Sequence, residues 1–441
     1  MPDHPTSRPG LCVALCVALF VALLSVPGRH ATAEPGRIAY IGHTGDLYTI
    51  KPDGTDRRQL ASGELLQPVS GSVPSSFSAA PAQSRPASRA AYSWPLWSPR
   101  GERLACFRIV LNEHGQTGEL YIFDVASSRV LNAYTEPGLR PIYAYWAPNG
   151  HQLAVLRNRA DTLSLDLWPA VGWQAPTVIA RGAPFYFDWR ADAAALLVHH
   201  GPSGQTEQAS GHAVGLLDIG SGQRTTVSHS PASFGAPSWS FDSQWMAYGD
   251  GRQRPVSLMI APADGSSPKP FASVSQRIAI GWSPTQTLVA VATTSLPGGA
   301  VFEELRLIDI ASGQIRRLVT EPFVAYFWSP DGQRIVYARR RPGSRLGTWV
   351  VVNVASGQTS EVIDFAPSRT LSQVFHYFDQ YALSHRLWSP DSRRFVFAGS
   401  AGSDAHPLLG LRHPQVYVVE AKARAIPQVV ADGHIAFWSP R

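Results

Sequence analysis

The chain has 441 residues, of which 44% are hydrophobic and 16% charged, with 13 tryptophans and a formal charge of +6. That apolar content argues against disorder outside the loops, and a mild basic excess without interleaved aromatic and basic motifs argues against nucleic acid as a partner. With three cysteines, two of them inside an N-terminal apolar run, no internal disulfide and no paired-cysteine metal site is expected; Cys106 reads as a small buried hydrophobe.

Residues 1–33 read as an export signal. Arg8 lies in a polar start, the apolar run extends from Leu11 to Val26, and Ala31-Thr32-Ala33 supplies small residues for cleavage before Glu34. The run is short for a membrane span, so membrane contact is expected only if the segment stays uncleaved. Neither Cys12 nor Cys16 follows the small residue that a lipoprotein signal places before its cysteine. The expected address is therefore periplasmic or extracellular.

From Arg37 onward the chain is periodic. A strand at 37–41 is followed by a Ser-, Pro- and Ala-rich stretch over 67–90, read as a flexible loop. Then Trp97, Trp146, Trp189, Trp239, Trp282, Trp328, Trp388 and Trp438 recur at intervals of 43 to 60 residues. This is the period of a four-stranded propeller repeat. The clearest copy is Trp328-Ser329-Pro330-Asp331-Gly332 followed by the apolar run Ile335-Val336-Tyr337. Pro presets φ at the second turn position, and Asp and Gly suit the third and fourth. Other copies are worn, as in Arg190-Ala191-Asp192-Ala193 and Ser240-Phe241-Asp242-Ser243.

Between the tryptophans lies a second signature, a strand ending in a polar turn, as in Leu305 to Gln314 with its Asp309, Ser312 and Gly313. It also occurs eight times, starting near Leu47, Leu120, Leu163, Val214, Val256, Leu305, Thr348 and Gln415. The chain ends at Trp438-Ser439-Pro440-Arg441, where a strand is due, and 37–41 supplies such a strand. The expected fold is all-β, a single eight-bladed β-propeller over 37–441 closed by pairing of N- and C-terminal strands. Seven blades is the alternative, reached if the repeat around Leu163 to Trp173 merges with its neighbour.

The Trp-Ser-Pro-Asp-Gly turn, the apolar strand after it and the strand with a Ser-Gly-Gln turn together resemble the TolB-type propeller repeat, over roughly Arg37 to Arg441. The resemblance implies a propeller and leaves activity open, since such repeats serve in periplasmic scaffolds, in gating domains of prolyl oligopeptidase-like enzymes and in polysaccharide lyases. TolB proteins carry an α/β domain ahead of a six-bladed ring, and nothing here matches that domain. There is no Gly-x-Ser-x-Gly elbow, His-Glu-x-x-His, phosphate-binding glycine loop or EF-hand loop, so no catalytic residue, metal or cofactor is assigned.

The family pattern places ligands on the face opposite the Trp-Ser-Pro-Asp-Gly turns. The longest Trp interval holds Thr370 to Arg386, with capping-box spacing at Thr370 and Gln373 and a helical stripe of Val374, Phe378, Tyr381, Ala382 and His385. One helix here covers the channel mouth. It is either a plug or a ligand site of His376, Asp379, Tyr381, His385 and Arg386, with His376 and Asp379 on one side.

Arginines on loops of that face, Arg157 and Arg159, Arg252 and Arg254, Arg339, Arg340, Arg341 with Arg345, and Arg412, form either a basic rim or solvated loop residues. His199, His200 and His212 read as solvated loop residues. The functional expectation is an exported, monomeric, non-catalytic module of the cell envelope whose partner is an envelope protein or an acidic glycan. The alternative is a glycan-active enzyme, such as a propeller-type lyase, with a His/Asp site at the channel mouth.

Overall fold

The computed structural model describes residues 36–63, 88–112, 115–136, 139–159, 162–172, 174–201, 211–232, 235–252, 255–274, 277–295, 301–344 and 346–441. The export segment and residues 67–87 of the predicted loop lie outside these, as do Trp173, Arg254 and Arg345. The end of that predicted loop is strand, Ser88–Trp97.

The described chain is dominated by antiparallel strands arranged as six four-stranded sheets and one of seven. Within each sheet most neighbours are consecutive in the chain, because short polar turns return each strand beside the last. In one repeat the strands Phe323–Trp328, Arg334–Arg340, Gly347–Asn353 and Thr359–Pro367 pair in order, with Trp328 opposite Ile335 and Arg340 opposite Gly347. The strand after each Trp turn is apolar on both faces and buried, as in Ala195–His200. The fourth strand is polar and exposed, as in Arg224–Ser228 and the Arg316-Arg317 segment of Ile315–Val319, which keeps the outer edges from templating further pairing.

One sheet joins the two ends of the chain. Ile435–Trp438 pairs with Ile38–Ile41, Ile38 opposite Trp438 and Tyr40 opposite Ala436. The repeat around Leu163 is a complete sheet of its own, Arg140–Trp146, Gln152–Arg159, Thr162–Pro169 and Thr177–Gly182. A merger occurs elsewhere. Thr359–Pro367 pairs with Arg394–Ala401 through Phe365 opposite Ala401 and Pro367 opposite Gly399, giving the seven-stranded sheet. Trp388 attaches to it by a single bridge to Phe395.

The repeated tryptophans couple one sheet to the previous one. In six of them the indole Nε1 donates to the carbonyl of the residue just before the preceding repeat's Trp: Trp97 to Phe437, Trp146 to Leu96, Trp189 to Tyr145, Trp282 to Ser238, Trp328 to Gly281 and Trp388 to Phe327, all at 3.0–3.2 Å. Trp239 departs from this pattern. Its indole nitrogen is buried without a partner, while its backbone N–H donates to Asp188 Oδ2 at 2.8 Å.

The turn after each Trp is held by backbone geometry more than by residue type. In the best copy Ser329 Oγ donates to Asp331 Oδ1 at 2.5 Å, accepts from Arg334 N–H at 2.9 Å, and Gly332 takes a φ of 69°. Worn copies keep the same left-handed turn with a side chain in it, Ala193 at 61°, Ser243 at 55° and Ser392 at 59°. The second signature is an Asx turn: Asp309 Oδ1 accepts from Ala311 and Ser312 N–H, and Asp218 and Asn353 do the same in their repeats.

Candidate functional site

The insertion before Trp388 forms two short helices instead of one. Helix α1, Arg369–His376, is capped by Ser368, whose Oγ accepts from Leu371 N–H at 3.0 Å, so Thr370 lies inside the helix and is not its cap. At Tyr377 the backbone leaves helical geometry, with φ −125° and ψ 36°, and α2 follows as Phe378–Ser384. The break separates the predicted pair: His376 is exposed on α1, whereas Asp379 is buried on α2.

The two helices and the residue after them meet six of the sheets and the segment that leads into the seventh. Phe375 meets Trp349 and Phe365, and Phe378 meets Tyr326 and Phe302 edge-on at 5.0 and 5.6 Å. Arg277 donates to the His376 carbonyl at 3.3 Å. Asp379 accepts from Ala236 N–H at 3.3 Å, ahead of the sheet that begins at Ser238. Gln380 makes two bonds to one residue, its Oε1 accepting from Phe187 N–H at 3.0 Å and its Nε2 donating to Phe187 O at 2.8 Å. Tyr143 donates through its hydroxyl to Ser384 Oγ at 2.7 Å and Gln380 O at 3.0 Å. Tyr381 stacks on Trp94 at 4.8 Å, and His385 lies 4.4 Å from the Phe437 ring.

These contacts assign the candidates. Tyr381, Asp379 and His385 are buried in packing. Burial raises the Asp379 carboxyl pKa, against the opposing pull of Ala236 N–H and Arg277. Burial also drives the His385 imidazole down to about 3; its Nδ1 meets Ser384 Oγ at 2.7 Å and its Nε2 has no partner. Of the five insertion candidates, only His376 and Arg386 are exposed, and they face different places. His376 lines a groove of about 280 Å³ with Arg339 and Arg340. Arg386 lines a cavity of about 410 Å³ with Asp379 and His385, bounded by Trp282 and Pro284 of one turn and Trp328 and Pro330 of the next.

The arginine rim is largely neutralised within the protein. Arg157 is buried between Glu136 and Asp166, Arg339 bridges Glu321 and Glu361, Arg341 meets Asp364 at 2.5 Å and Arg252 faces Asp250 at 3.5 Å. The partner carboxylates come from neighbouring strands and loops, which is why a count of loop arginines overstates the field. His199 and His200 belong to the strand Ala195–His200 and not to a loop; burial lowers His199 to about 4, and its Nδ1 meets Gly235 O at 2.8 Å.

Sequence reasoning missed two residues. Asp188 is fully enclosed, bonded to Trp239 N–H and Ser238 Oγ, and burial raises its pKa to about 7. Its signal was a lone carboxylate inside the aromatic strand Phe185-Tyr186-Phe187-Asp188-Trp189. Tyr145 lies close enough to both Asp188 and Arg386 to feel their charges. Cys106, in contrast, is buried as expected, its thiol donating to Ser93 O at 3.0 Å.

Among the described residues no group of three or more His, Cys, Asp or Glu side chains is placed to hold a metal, and no helix is long and apolar enough to cross a membrane. No family model and no curated protein matches the chain. Solved structures do resemble it. A eukaryotic initiation factor aligns at 14% identity over 92% of this chain and 98% of its own, with a TM-score of 0.50. A prolyl endopeptidase aligns at 12% identity over 88% of this chain and 53% of its own, with a TM-score of 0.52. A putative TolB from Agrobacterium tumefaciens aligns at 17% identity over 67% of this chain and 95% of its own, with a TM-score of 0.37. At these identities the likeness concerns the fold alone. The chain is an all-β protein of four-stranded antiparallel sheets, with propeller proteins among its structural neighbours.

Proposed function

We propose that the chain is an exported, non-catalytic propeller of eight blades, closed by the pairing of Ile38–Ile41 with Ile435–Trp438, and that it binds an envelope protein. The eight-blade reading counts the seven-stranded sheet as two repeats, the second opened by Trp388. The observation that carries the binding-module reading is the position of α1 and α2. The residues best suited to proton transfer, Asp379 and His385, serve packing, Asp379 accepting from Ala236 N–H and His385 lying against Phe437, and Gln380 and Tyr143 hold the backbone around them. A general base must reach a substrate proton, and although both groups border the cavity beside Arg386, burial leaves little of either accessible.

A pull-down from envelope extract with the chain starting at Glu34, at low and high salt, tests the reading. A stoichiometric protein partner retained at high salt is expected. Capture of acidic glycan alone, released by salt and cleaved on incubation, overturns it in favour of a glycan-active enzyme. One observation favours that second reading: exposed His376 shares a groove with Arg339 and Arg340, a base and cations beside each other. His376→Ala should then abolish cleavage, whereas the binding-module reading expects no cleavage to abolish.

A further inference from the structure

Arg386 is an unusual arginine for this molecule. Its backbone is fixed just beyond α2, where its carbonyl accepts from Trp438 N–H at 2.8 Å, so the side chain is projected from an anchored point into the cavity. Several other arginines meet a carboxylate, as Arg108 meets Glu119, Arg157 meets Glu136 and Asp166, Arg306 meets Glu304 and Arg339 meets Glu321. Among the described residues Arg386 has no hydrogen-bond acceptor and no ion-pair partner. Its side chain is exposed where it lines the cavity, and the surrounding protein still lowers its pKa; the nearby Tyr145 opposes that shift and no carboxylate does. A guanidinium that faces a cavity without a carboxylate beside it is free to take an anion as its bidentate partner.

The walls narrow the class of anion. Trp282, Trp328, Trp388, Pro284, Pro330 and Leu383 give them an apolar side beside polar groups, and about 410 Å³ suits a small organic molecule. There is one guanidinium and no second cation among the lining residues, which matches a single negative charge held bidentately better than a phosphate dianion. Asp379 also borders the cavity. Its carboxyl engages Ala236 N–H and makes no ion pair with Arg386.

We propose that Arg386 anchors a binding site inside the channel for a small organic monocarboxylate whose apolar body lies against Trp282, Trp328 and Trp388. This goes beyond the binding-module reading and does not depend on which protein docks. The site reaches the Trp-Ser-Pro turns, the face opposite the one the sequence pattern favours for ligands.

The test is ligand-observed NMR with the chain from Glu34, titrating cyclohexylacetate, its neutral amide and inorganic phosphate. Cyclohexylacetate should bind saturably, with the amide and phosphate each at least about tenfold weaker. Arg386→Gln should weaken the carboxylate by about tenfold or more, and Arg386→Lys by less. No saturable carboxylate binding, equal binding of the amide, or undiminished binding to Arg386→Gln overturns the site. Phosphate binding as tight as cyclohexylacetate overturns the monocarboxylate assignment. If Arg386→Gln does not fold, the acid and amide comparison on the unaltered chain decides alone. A partner found by pull-down alongside failed titrations removes only the cavity site, and the converse removes only the protein-docking reading.

Discussion

The sheets and the helical insertion are held together in opposite ways. Most sheets meet the previous one through the same few groups, an indole bonded to the previous repeat and a turn with a left-handed residue, so a worn copy such as Arg190-Ala191-Asp192-Ala193 keeps its shape. The insertion meets a different partner at nearly every residue: Phe187 for Gln380, Tyr143 for Ser384, Trp94 for Tyr381 and Phe437 for His385. Repetition tolerates loss at one position because many equivalent contacts remain. A hub of unique contacts does not.

The comparison can be broken most severely where the sheets depend on a single strand. Truncation before Ala436 removes most of the strand paired with Ile38–Ile41 and the carbonyl that accepts from Trp97, and we expect no cooperative folding by circular dichroism and calorimetry. Unchanged melting would show that this pairing is dispensable. On the hub, Gln380→Ala leaves both backbone groups of buried Phe187 without their partner and should cost roughly 2–4 kcal/mol in chemical denaturation. The matched change on a repeat, Asp309→Ala in an exposed Asx turn, should cost about 1 kcal/mol or less; equal costs would erase the distinction between the regions.

Asp188 sharpens it with pH. Because its folded pKa is raised to about 7, the folded chain holds a proton that the unfolded chain has released. That contribution to stability is complete below the ordinary carboxylate value and is lost as pH rises through about 7. Asp188→Asn keeps an oxygen for Trp239 N–H and removes the titration. Its stability relative to the parent should therefore improve between about pH 5 and 8, by a few kcal/mol at most. A constant difference across that range would mean the carboxyl titrates normally. His199 and His385 act in the other direction: lowered to about 4 and 3, they stay neutral in the fold, and their contribution is lost on acidification below the ordinary imidazole range.

The smallest expected effect is a gain. Ala193 occupies a left-handed turn at φ 61° that glycine fills in the best copies, so Ala193→Gly should stabilise by about 1 kcal/mol or less, read as a small rise in Tm. A loss would show that the Ala193 methyl, which is buried, contributes more by packing than its backbone costs.

The strands and their turns were legible because the features that form them are local and repeated: Trp before the turn, a left-handed position within it, an apolar run after it. The break at Tyr377 was not, because it serves contacts with sheets far along the chain, and Thr370 to Arg386 carries an uninterrupted helical stripe. The ion pairs of the loop arginines were out of reach for a related reason. Glu136, Glu321, Glu361 and Asp364, which neutralise Arg157, Arg339 and Arg341, sit on other strands or loops, invisible to a count along one loop. Arg386 was picked out by its place in the insertion, but the cavity it faces lies on the turn side, which sequence pattern alone assigned no ligand.

The indole bonds have a further implication for how such a chain grows. In each bonded repeat the donor is the Trp and the acceptor is the carbonyl of the residue just before it, so one copied segment carries both halves of the coupling. A tandem duplication inserted between two neighbours finds an acceptor ahead of it and offers one behind, with no compensating change elsewhere. Sheets can thus be added one gene segment at a time. The helical insertion sets the limit to that process, since α1 and α2 have a fixed length and only so many side chains with which to meet further sheets.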